Sequence, residues 1–291
     1  MQPAESQADQ RAGISKDTQL CISLAARPSN IGTRFHNKLY ELLGLDFVYK
    51  AFAPTDIVNA VAGIRGLPIR GAAVSMPYKE TVIGLIDELD ESANAIQSVN
   101  TIVNDGGRLK GFNTDFVAVQ TLLRQAGVRS THRVVVHGSG GMAKAVAAAV
   151  ASLGVTDCVV VARNESQGRA LGLKYFATSP LSWAPTVESI DSSAVYDVLI
   201  NATPIGMAGG GPESEALSFP ENIVKRADIV MDVVAMPRDT PLIRLAESLG
   251  KKVVSGSEVM TDQAVAQFCL YTGVRPTQDD INIAAAHARR S

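Results

Sequence analysis

A glycine-rich segment between an apolar run and an alanine-rich run has the clearest chemical meaning in this sequence. Residues 134–143 read VVVHGSGGMA. Glycines let the backbone turn tightly and approach a phosphate, and a helix that begins there offers free N–H groups and the positive end of its dipole. The Gly-x-Gly-Gly-x-Ala spacing differs from the usual Gly-x-Gly-x-x-Gly, but a strand, a turn and a helix in this order favour a dinucleotide site. The predicted contacts are Gly138, Ser139, Gly140, Gly141, Met142 and Ala143.

The next apolar run ends at Ala162, Arg163 and Asn164, a position that often decides which nucleotide is bound. An acidic residue there usually bonds the ribose 2′-hydroxyl of NAD, whereas an arginine suits the 2′-phosphate of NADP. A guanidinium holds a phosphate through two parallel hydrogen bonds. Arg163 therefore favours NADP, while Glu165 close by keeps NAD as an alternative.

Polar residues also follow apolar runs in the first half of the chain. Ser75 ends one run and Lys79 lies just beyond it, and Asn100, Thr114 and Asp115 lie in segments beyond others. Side chains of this kind at strand ends around a cleft are what a hydroxyl-rich substrate needs. By composition alone, Lys79 and Asp115 would be surface ions.

The elements that must position these residues alternate between strand and helix. In the first half the pattern predicts strands at 20–23, 47–52 and 71–75, helices at 35–43 and 56–64, and a hairpin within 98–112. In the second half it predicts strands at 134–136, 157–162, 197–201, 229–234 and 252–255, and helices at 115–125, 140–153, 166–175, 241–249, 257–272 and 277–289. The pattern is weakest at 177–193, where Trp183 is expected in a core or at its rim. This alternation is typical of α/β proteins, and the second series is typical of a doubly wound sheet.

Composition and charge exclude several classes of protein. The length of 291 residues favours two domains, and 46% hydrophobic residues suffice for ordinary cores. A net charge of −2 suggests neither nucleic acid nor a membrane surface as a partner. Cys21, Cys158 and Cys269 are far apart in apolar contexts, which favours reduced thiols over a metal site or a disulfide and indicates a cytoplasmic location. Residues 1–16 are polar and have the pattern of neither a signal peptide nor a membrane span.

Together these segments resemble the shikimate dehydrogenase family over nearly all of residues 20–272. The matching motifs are Met76-Pro77-Tyr78-Lys79-Glu80, Ser98-Val99-Asn100-Thr101, Asn113-Thr114-Asp115, the 138–141 loop, Asn201-Ala202-Thr203-Pro204-Ile205-Gly206-Met207, Thr240-Pro241, and Gly256 with Gln263. Their order and spacing are highly specific in combination. The resemblance implies an α/β protein of two domains. We expect a disordered tail at 1–17, a substrate domain at 18–115 completed by C-terminal helices at 257–291, and a Rossmann NADP-binding domain at 116–256.

The resemblance also implies the chemistry and the residues that perform it. In that family a lysine and an aspartate form the catalytic pair, here Lys79 and Asp115, and a hydride moves between NADPH and a ring ketone. The ammonium of Lys79 would donate a proton and stabilise alkoxide charge, and Asp115 would orient it. The other implied contacts are Asn30, Gly32, Ser75, Asn100, Thr114 and Gln263 for the substrate, and Thr203, Val233 and Gly256 for the cofactor.

The sequence departs from the family pattern where the substrate carboxylate would be held. The family usually has Ser-x-Ser-Pro-x-x-His-Asn after its first strand, and both serine hydroxyls hold that carboxylate. Here His36 and Asn37 match, but Asn30 and Gly32 stand at the serine positions. A lost hydrogen bond to a buried oxygen costs about 1–3 kcal/mol, so Gly32 is expected to lower the affinity for shikimate about tenfold or more. Other groups available to a carboxylate in this segment are Ser29, Thr33 and Arg34.

Two smaller departures follow the same trend: Ala73-Val74-Ser75 replaces Asn-Val-Thr, and Ala235-Met236 replaces Tyr-Asn. In the nucleotide-binding part, Ala162-Arg163-Asn164 replaces Asn-Arg-Thr. The residues for hydride transfer are thus kept while the contacts to the substrate change.

Three functions are compatible with this sequence. The first is NADP-dependent interconversion of shikimate and 3-dehydroshikimate, at full or reduced rate, as in the chorismate pathway of aromatic amino acid biosynthesis. The second is a dehydrogenase of quinate or another cyclic polyol acid, which the departures favour. The third is a regulatory NADP-binding module without turnover, against which the retention of Lys79 and Asp115 argues. The expected partner is a small cyclic hydroxy acid, and the expected state is a monomer or a homodimer.

Overall fold

The computed structural model describes residues 14–191, 193–209 and 211–289, which fall into two compact units. The first unit ends at Asn113 and resumes at Ala264, and the second spans Thr114–Gln263. Of the tail expected at 1–17, positions 1–13 lie outside the described residues.

The first unit is built on a six-stranded mixed sheet. Its strands are β1 (Gln19–Leu24), β2 (Phe47–Phe52), β3 (Gly71–Val74), β4 (Glu88–Leu89), β5 (Thr101–Asp105) and β6 (Arg108–Phe112), and its first helices are α1 (Asn30–Leu42), α2 (Ile57–Gly66) and α3 (Glu91–Ile96). The sheet order is β2-β1-β3-β5-β6-β4. Strands β2, β1 and β3 are parallel, and β5 is antiparallel to both β3 and β6. The parallel layer and the hairpin that the sequence predicts are therefore both present.

Helix α1 begins at Asn30, whereas apolar spacing predicts a start at residue 35. Its first turn is exposed or half-buried, with Ile31 as its one apolar residue, and its buried face begins at Phe35. Gly44, with φ +62°, follows the helix as the predicted stop signal. Asn30 and Gly32 consequently lie in the first turn of a helix.

The second unit is built on a six-stranded parallel sheet. Its strands are β7 (Val134–His137), β8 (Cys158–Val161), β9 (Trp183–Ala184), β10 (Val198–Asn201), β11 (Ile229–Asp232) and β12 (Lys252–Ser255), and its helices are α4 (Thr114–Ala126), α5 (Gly141–Ser152), α6 (Glu165–Phe176), α7 (Glu221–Val224), α8 (Pro241–Ser248) and the first half of α9 (Gly256–Thr272). The order is β12-β11-β10-β7-β8-β9. Each neighbouring pair in this order is parallel.

Successive valines of β7 enter cores on opposite faces of this sheet. Val134 and Val136 pack in one core with Val146 of α5, and Val135 packs in another with Leu242 of α8. A parallel sheet covered by helices on both faces is the doubly wound arrangement. The predicted α/β fold class is thus confirmed.

Helices α4 and α9 are continuous where the sequence suggests domain limits. The expected limits, after residue 115 and before residue 257, fall in the first turns of these helices. Contacts divide the chain at Thr114 and after Gln263 instead. When a domain boundary lies within a helix, the apolar periodicity continues across it, so the sequence pattern does not locate the boundary. The second half of α9 belongs to the first unit, where α10 (Gln278–Ala288) packs against α1.

The two shortest strands and the two shortest α-helices have no counterpart in the sequence prediction. They are β4, α3, β9 and α7. Strand β9 lies in the weak stretch at 177–193 and pairs with β8. Its two residues are too few to show alternation, so the sequence pattern does not predict it. Among the described residues, every helix is too short or too polar to span a bilayer.

Candidate active site

The turn after β7 requires glycine at position 138. Gly138 has φ +128°, and a Cβ there would lie 2.7 Å from the carbonyl oxygen of Ala202 and 3.4 Å from Cγ2 of Thr203. The approach is this close because β10 pairs with β7, so the residues that follow both strands share one sheet edge. The structure therefore brings Gly138 and Thr203, two predicted cofactor residues, together at the carboxyl edge. Open α/β sheets bind nucleotides at this edge.

The start of α5 forms a cradle that lacks side chains. A Cβ built at Gly140 or Gly141 meets no atom of the described residues within 4 Å. Gly140 is the N-cap and supplies no side-chain cap, so the first-turn N–H groups keep their capacity to bind an anion. The hydroxyl of Ser139 lies 3.4 Å from Oε1 of Gln167 beside this turn. These features fit the pyrophosphate of a dinucleotide. Met142 and Ala143 follow in the first turn of the helix.

Arg163 follows β8, the strand next to β7, and its side chain is exposed. Oδ1 of Asn164 accepts a hydrogen bond from the backbone N–H of Gln167 at 3.0 Å and caps α6. The backbone N–H of Ala162 donates to the carbonyl of Ala184 at 3.0 Å. The backbone on both sides of Arg163 is therefore fixed while its guanidinium stays in solvent. This arrangement suits a group that binds a phosphate, and the role of Arg163 stays a prediction.

A buried carboxylate anchors the loop that carries Thr203. Asp232 accepts hydrogen bonds from Nδ2 of Asn201 at 3.0 Å, from Oγ1 of Thr240 at 2.7 Å and from the N–H of Val234 at 3.0 Å. Oδ1 of Asn201 in turn accepts from Oγ1 of Thr203 at 2.6 Å. Burial raises the pKa of Asp232, and its three hydrogen bonds oppose that rise. The network fixes Thr203 where β10 ends.

Gly256 and Val233 meet through a close backbone contact. A Cβ at Gly256 would lie 2.3 Å from the carbonyl oxygen of Val234 and 2.5 Å from the carbonyl carbon of Val233. The N–H of Val233 donates to the carbonyl of Asn201 at 3.0 Å. The start of α9 is thereby held against the residues that follow β11. Only glycine at position 256 permits this approach without displacing the backbone.

Thr114 and Asp115 form the first turn of α4. Asp115 is half-buried, and the positive end of the helix dipole favours a carboxylate there. Thr114 is buried, and its hydroxyl donates to Oε1 of Gln263 in α9 at 3.4 Å. Two of the predicted substrate residues, Thr114 and Gln263, are therefore neighbours in the second unit.

Lys79 and Asn100 are joined in the first unit through the backbone. The N–H of Val99 donates to the carbonyl of Lys79 at 2.8 Å. Asn100 is itself held on both sides, because its carbonyl accepts from Val74 N–H at 2.8 Å and its N–H donates to the carbonyl of Phe112 at 3.0 Å. Lys79 is half-buried and Asn100 is buried. The backbone segments that carry a candidate proton donor and a candidate substrate amide thus lie side by side.

The residues that replace the family serines lie at the start of α1. Asn30 is exposed and Gly32 is half-buried. A Cβ at Gly32 would lie 3.9 Å from Oη of Tyr49, which is an ordinary contact, so a serine fits at this position. Ser75 is exposed just beyond β3, where its N–H donates to the carbonyl of Leu24 at 2.9 Å. The candidate residues are divided between the two units, and the pairing of Lys79 with Asp115 stays a prediction.

Gln267, which is 5% exposed in α9, is not among the residues that the sequence predicts for the site. Its Nε2 donates to Oγ1 of Thr101 at 3.1 Å. The available signal was the i, i+4 spacing from Gln263, which places the two glutamines on one helix face. His36, a residue of the family motif, is buried in the same unit and stacks on Tyr49 with ring centroids 4.4 Å apart. Burial lowers the pKa of His36 to about 3.

The cysteines give no sign of chemistry. All three lie in the described part of the chain as free thiols. Burial raises the pKa of Cys21 to about 11, which disfavours the reactive thiolate. In residues 14–191, 193–209 and 211–289, no three His, Cys, Asp or Glu side chains cluster as metal ligands would.

Comparison with known proteins identifies the family. A family model described as the shikimate dehydrogenase substrate binding domain matches residues 30–102. The shikimate dehydrogenase-like protein of Haemophilus influenzae is 49% identical over 276 residues, which cover 95% of this chain and 98% of that protein. This chain belongs to the shikimate dehydrogenase family. The shikimate dehydrogenase (NADP(+)) of Pyrococcus abyssi, another member, is 37% identical over 248 residues, covering 83% of this chain and 87% of that protein.

Solved structures of this family share the fold. A shikimate 5-dehydrogenase-like protein superposes with a TM-score of 0.90 at 48% identity, over 95% of this chain and 100% of that one. The shikimate 5-dehydrogenase of Thermus thermophilus, in complex with NADP(H) and shikimate, gives 0.79 at 26% identity, over 93% and 99%. The quinate dehydrogenase of Corynebacterium glutamicum, in complex with NAD, gives 0.80 at 26% identity, over 93% and 98%. The protein is accordingly an oxidoreductase of the class that acts on CH–OH groups.

Proposed function

We propose that this protein is an NADP-dependent oxidoreductase that interconverts a secondary alcohol and a ketone on the ring of a small cyclic hydroxy acid. Shikimate and 3-dehydroshikimate are the first pair to test. The observation that carries the proposal is the hydrogen bond from Val99 N–H to the carbonyl of Lys79, which holds the segment of the candidate proton donor against the segment of Asn100. Both residues lie within 30–102, the segment matched by the substrate binding domain model.

Lys79 and Asp115 are the proposed catalytic pair. When the alcohol is oxidised, its carbon loses a hydride and its oxygen loses a proton, which the neutral amine of Lys79 accepts. In the reverse direction the ammonium of Lys79 returns that proton to the oxygen. Positive charge on Lys79 also stabilises an oxygen that is becoming negative. Asp115 orients the lysine.

The second unit is proposed to bind NADP. When bound, NADP supplies or accepts the hydride at its nicotinamide ring. The N–H groups at the start of α5 would hold its pyrophosphate, and Arg163 would hold its 2′-phosphate. Thr203, Val233 and Gly256 would contact it from the loops after β10 and β11. The geometry that supports this is the close approach at Gly138 and the open positions at the next two glycines.

Substrate recognition is proposed to involve Asn100, Thr114 and Gln263, with a changed contact to the carboxylate. Gly32 offers no hydroxyl where the family has a serine, although the space beside Tyr49 would accept one. A substrate with shikimate's carboxylate then loses at least one hydrogen bond. We therefore propose slow turnover of shikimate, and quinate or a related cyclic polyol acid as the second candidate substrate.

The test is the reduction of NADP and, separately, of NAD by shikimate and by quinate. Wild type and Lys79→Ala are assayed in parallel, with cofactor binding followed by fluorescence. The proposal expects measurable turnover of at least one ring substrate with NADP, and loss of that turnover in Lys79→Ala while NADPH still binds. Arg163→Ala should weaken NADP binding more than NAD binding, since NAD has no 2′-phosphate.

The outcomes separate the candidate functions. Rapid, saturable oxidation of shikimate would contradict the slow rate proposed here and leave the reaction class intact. Preference for quinate would support the second candidate. No turnover of any ring alcohol, with NADPH still bound, would overturn the enzymatic proposal and favour a binding module.

A further inference from the structure

Hydrogen bonds fix the backbone of Asn100, but they do not decide the orientation of its side-chain amide. Its carbonyl and its N–H are both bonded to neighbouring strands or strand ends, at 2.8 Å to Val74 and 3.0 Å to Phe112. An asparagine amide has an oxygen that accepts and a nitrogen that donates, and the two ends have nearly the same shape. Which end faces a ligand therefore depends on what bonds the other end.

Thr101 bonds the oxygen end of that amide. Its Oγ1 donates to Oδ1 of Asn100 at 2.9 Å, and both side chains are buried. A hydroxyl has one proton and two lone pairs, so by itself a threonine can either donate or accept. If Thr101 accepted instead, the amide of Asn100 would turn its nitrogen toward it. Thr101 alone does not decide the orientation.

Gln267 decides it. Its amide nitrogen, Nε2, donates to Oγ1 of Thr101 at 3.1 Å and to the backbone carbonyl of Asn100 at 3.4 Å. A carbonyl oxygen can only accept, so the nitrogen end of the Gln267 amide lies on this side. An amide N–H can only donate, so the hydroxyl of Thr101 receives this bond and directs its own proton to Oδ1 of Asn100. The order Gln267, Thr101, Asn100 thus gives the hydrogen bonds one direction. At 5% exposure Gln267 is shielded from water, which would otherwise replace it as a donor.

We infer that Gln267 is a positioning residue for substrate recognition: through Thr101 it fixes the Asn100 amide so that the NH₂ end is presented to the ring substrate. This rests on the proposed function, in which Asn100 contacts the substrate. The fixed amide selects an oxygen that accepts a hydrogen bond, either a ring hydroxyl through its lone pairs or a carbonyl. Gln267 acts on the side-chain amide of Asn100 through Thr101, and its second hydrogen bond goes to the backbone carbonyl of Asn100.

Two nearly isosteric substitutions break this chain at different points. Gln267→Met removes the donor and keeps the length of the side chain, and Thr101→Val removes the hydroxyl and keeps the shape. Each should raise the KM for the ring substrate about tenfold, as expected for one buried hydrogen bond. The KM for NADP should stay at its wild-type value. Thr101→Ser restores a hydroxyl and should return the substrate KM toward that of wild type.

The double variant separates relayed action from independent damage. If Gln267 acts through Thr101, Gln267→Met combined with Thr101→Val should raise the KM no further than Thr101→Val alone. Two independent packing losses would multiply instead. Thr272→Val is the matched control, because it removes a hydroxyl of the same helix that bonds locally. That hydroxyl donates to the carbonyl of Phe268 at 2.8 Å and accepts from the N–H of Val274 at 3.1 Å.

A second measurement does not depend on turnover. In protein labelled with ¹⁵N-asparagine, the side-chain NH₂ signal of Asn100 is assigned by its loss in Asn100→Asp. That signal should shift in both Gln267→Met and Thr101→Val, and should stay in place in Thr272→Val. If no ring alcohol is oxidised by wild type, the proposed function fails while this signal still tests the positioning. An unmoved signal in both variants, or losses in KM that multiply in the double variant, would overturn the inference.

Discussion

A Cβ at Gly138 would lie 2.7 Å from the carbonyl oxygen of Ala202, closer than real Cβ contacts. The backbone of the glycine turn therefore packs directly against the backbone of the loop after β10, and position 138 has no room for a side chain. Because φ is +128° at Gly138, an L-residue there is strained as well as crowded. This position differs from the glycines that follow it, where the space is open.

Gly138→Ala is expected to destabilise the second unit, and Gly140→Ala is expected to spare it. Strain at Gly138 should cost about 1–3 kcal/mol of unfolding free energy, with lost NADPH binding. The Cβ added by Gly140→Ala has no described atom within 4 Å, so stability should stay unchanged. The same Cβ would block the phosphate and weaken NADPH binding about tenfold or more. Urea denaturation and NADPH fluorescence titration measure the two effects. Equal NADPH affinity in Gly140→Ala and wild type would contradict a phosphate site at this turn.

Gly32→Ser is expected to improve the binding of shikimate. The added Cβ would lie 3.9 Å from Oη of Tyr49, so the side chain fits, and its hydroxyl restores one hydrogen-bond donor of the family pattern. The KM for shikimate should fall about tenfold. Gly63→Ser is the control, because it makes the same exchange in helix α2 in open space and should leave KM unchanged. An unchanged KM in Gly32→Ser would place the carboxylate elsewhere.

His36 is expected to make the first unit less stable as the pH falls. Its pKa is about 3 in the folded protein because burial disfavours the charged ring, whereas the unfolded chain titrates near 6.5. Between these values the unfolded state binds the extra proton, so stability is lost as pH falls from about 6.5 toward about 3. From pH 7 to pH 5 this amounts to about 2 kcal/mol.

The test compares His36→Phe with wild type in urea denaturation at both pH values. Phenylalanine keeps the stack on Tyr49 and does not titrate, so the variant should lose less stability on acidification. Parallel pH profiles for the two proteins would show that His36 contributes nothing to the acid sensitivity.

Asp232→Asn is expected to destabilise the second unit and to loosen Thr203. The carboxylate accepts from Asn201, Thr240 and Val234, and an amide replaces one of its acceptor oxygens with a donor. The expected cost is about 1–3 kcal/mol of unfolding free energy, together with weaker NADPH binding.

The matched control for that change is Asp191→Asn. Asp191 accepts from the N–H and the hydroxyl of Ser193 at 2.8 Å and 2.6 Å, but it is exposed. Water replaces a lost partner there, so stability should change by about 0.5 kcal/mol or less. Similar losses of unfolding free energy in both variants, measured by urea denaturation, would show that burial does not strengthen the contribution of the Asp232 hydrogen bonds to stability.

The sequence alone determined the elements with strong local signals. Strands β2 and β12 have the bounds that their apolar runs predict, 47–52 and 252–255. The glycine turn and the family motifs are likewise readable from neighbouring residues, and the NADP preference that Arg163 indicates stays a prediction. These features depend on short-range backbone geometry and on burial of one face, and both leave a periodic or glycine-specific trace.

Only the tertiary structure decided where distant segments meet. It placed Thr203 against Gly138, Thr114 beside Gln263, and the segment of Lys79 against that of Asn100. It also extended α1 to Asn30 and carried α4 and α9 through the expected domain limits. An exposed first turn lacks an apolar face, and a helix at a domain limit has the same periodicity on both sides, so neither is visible in the sequence pattern.

The hydrogen bonds that run from Gln267 through Thr101 to Asn100 show most clearly what the sequence alone does not reveal. Gln267 is more than half of the chain away from Thr101 and Asn100, and each residue has an ordinary sequence context. Their types say only that they can donate or accept. Packing of the second half of α9 in the first unit sets which of them donates to which, because a buried hydrogen bond is decided by the neighbour that reaches it and not by the residue type alone.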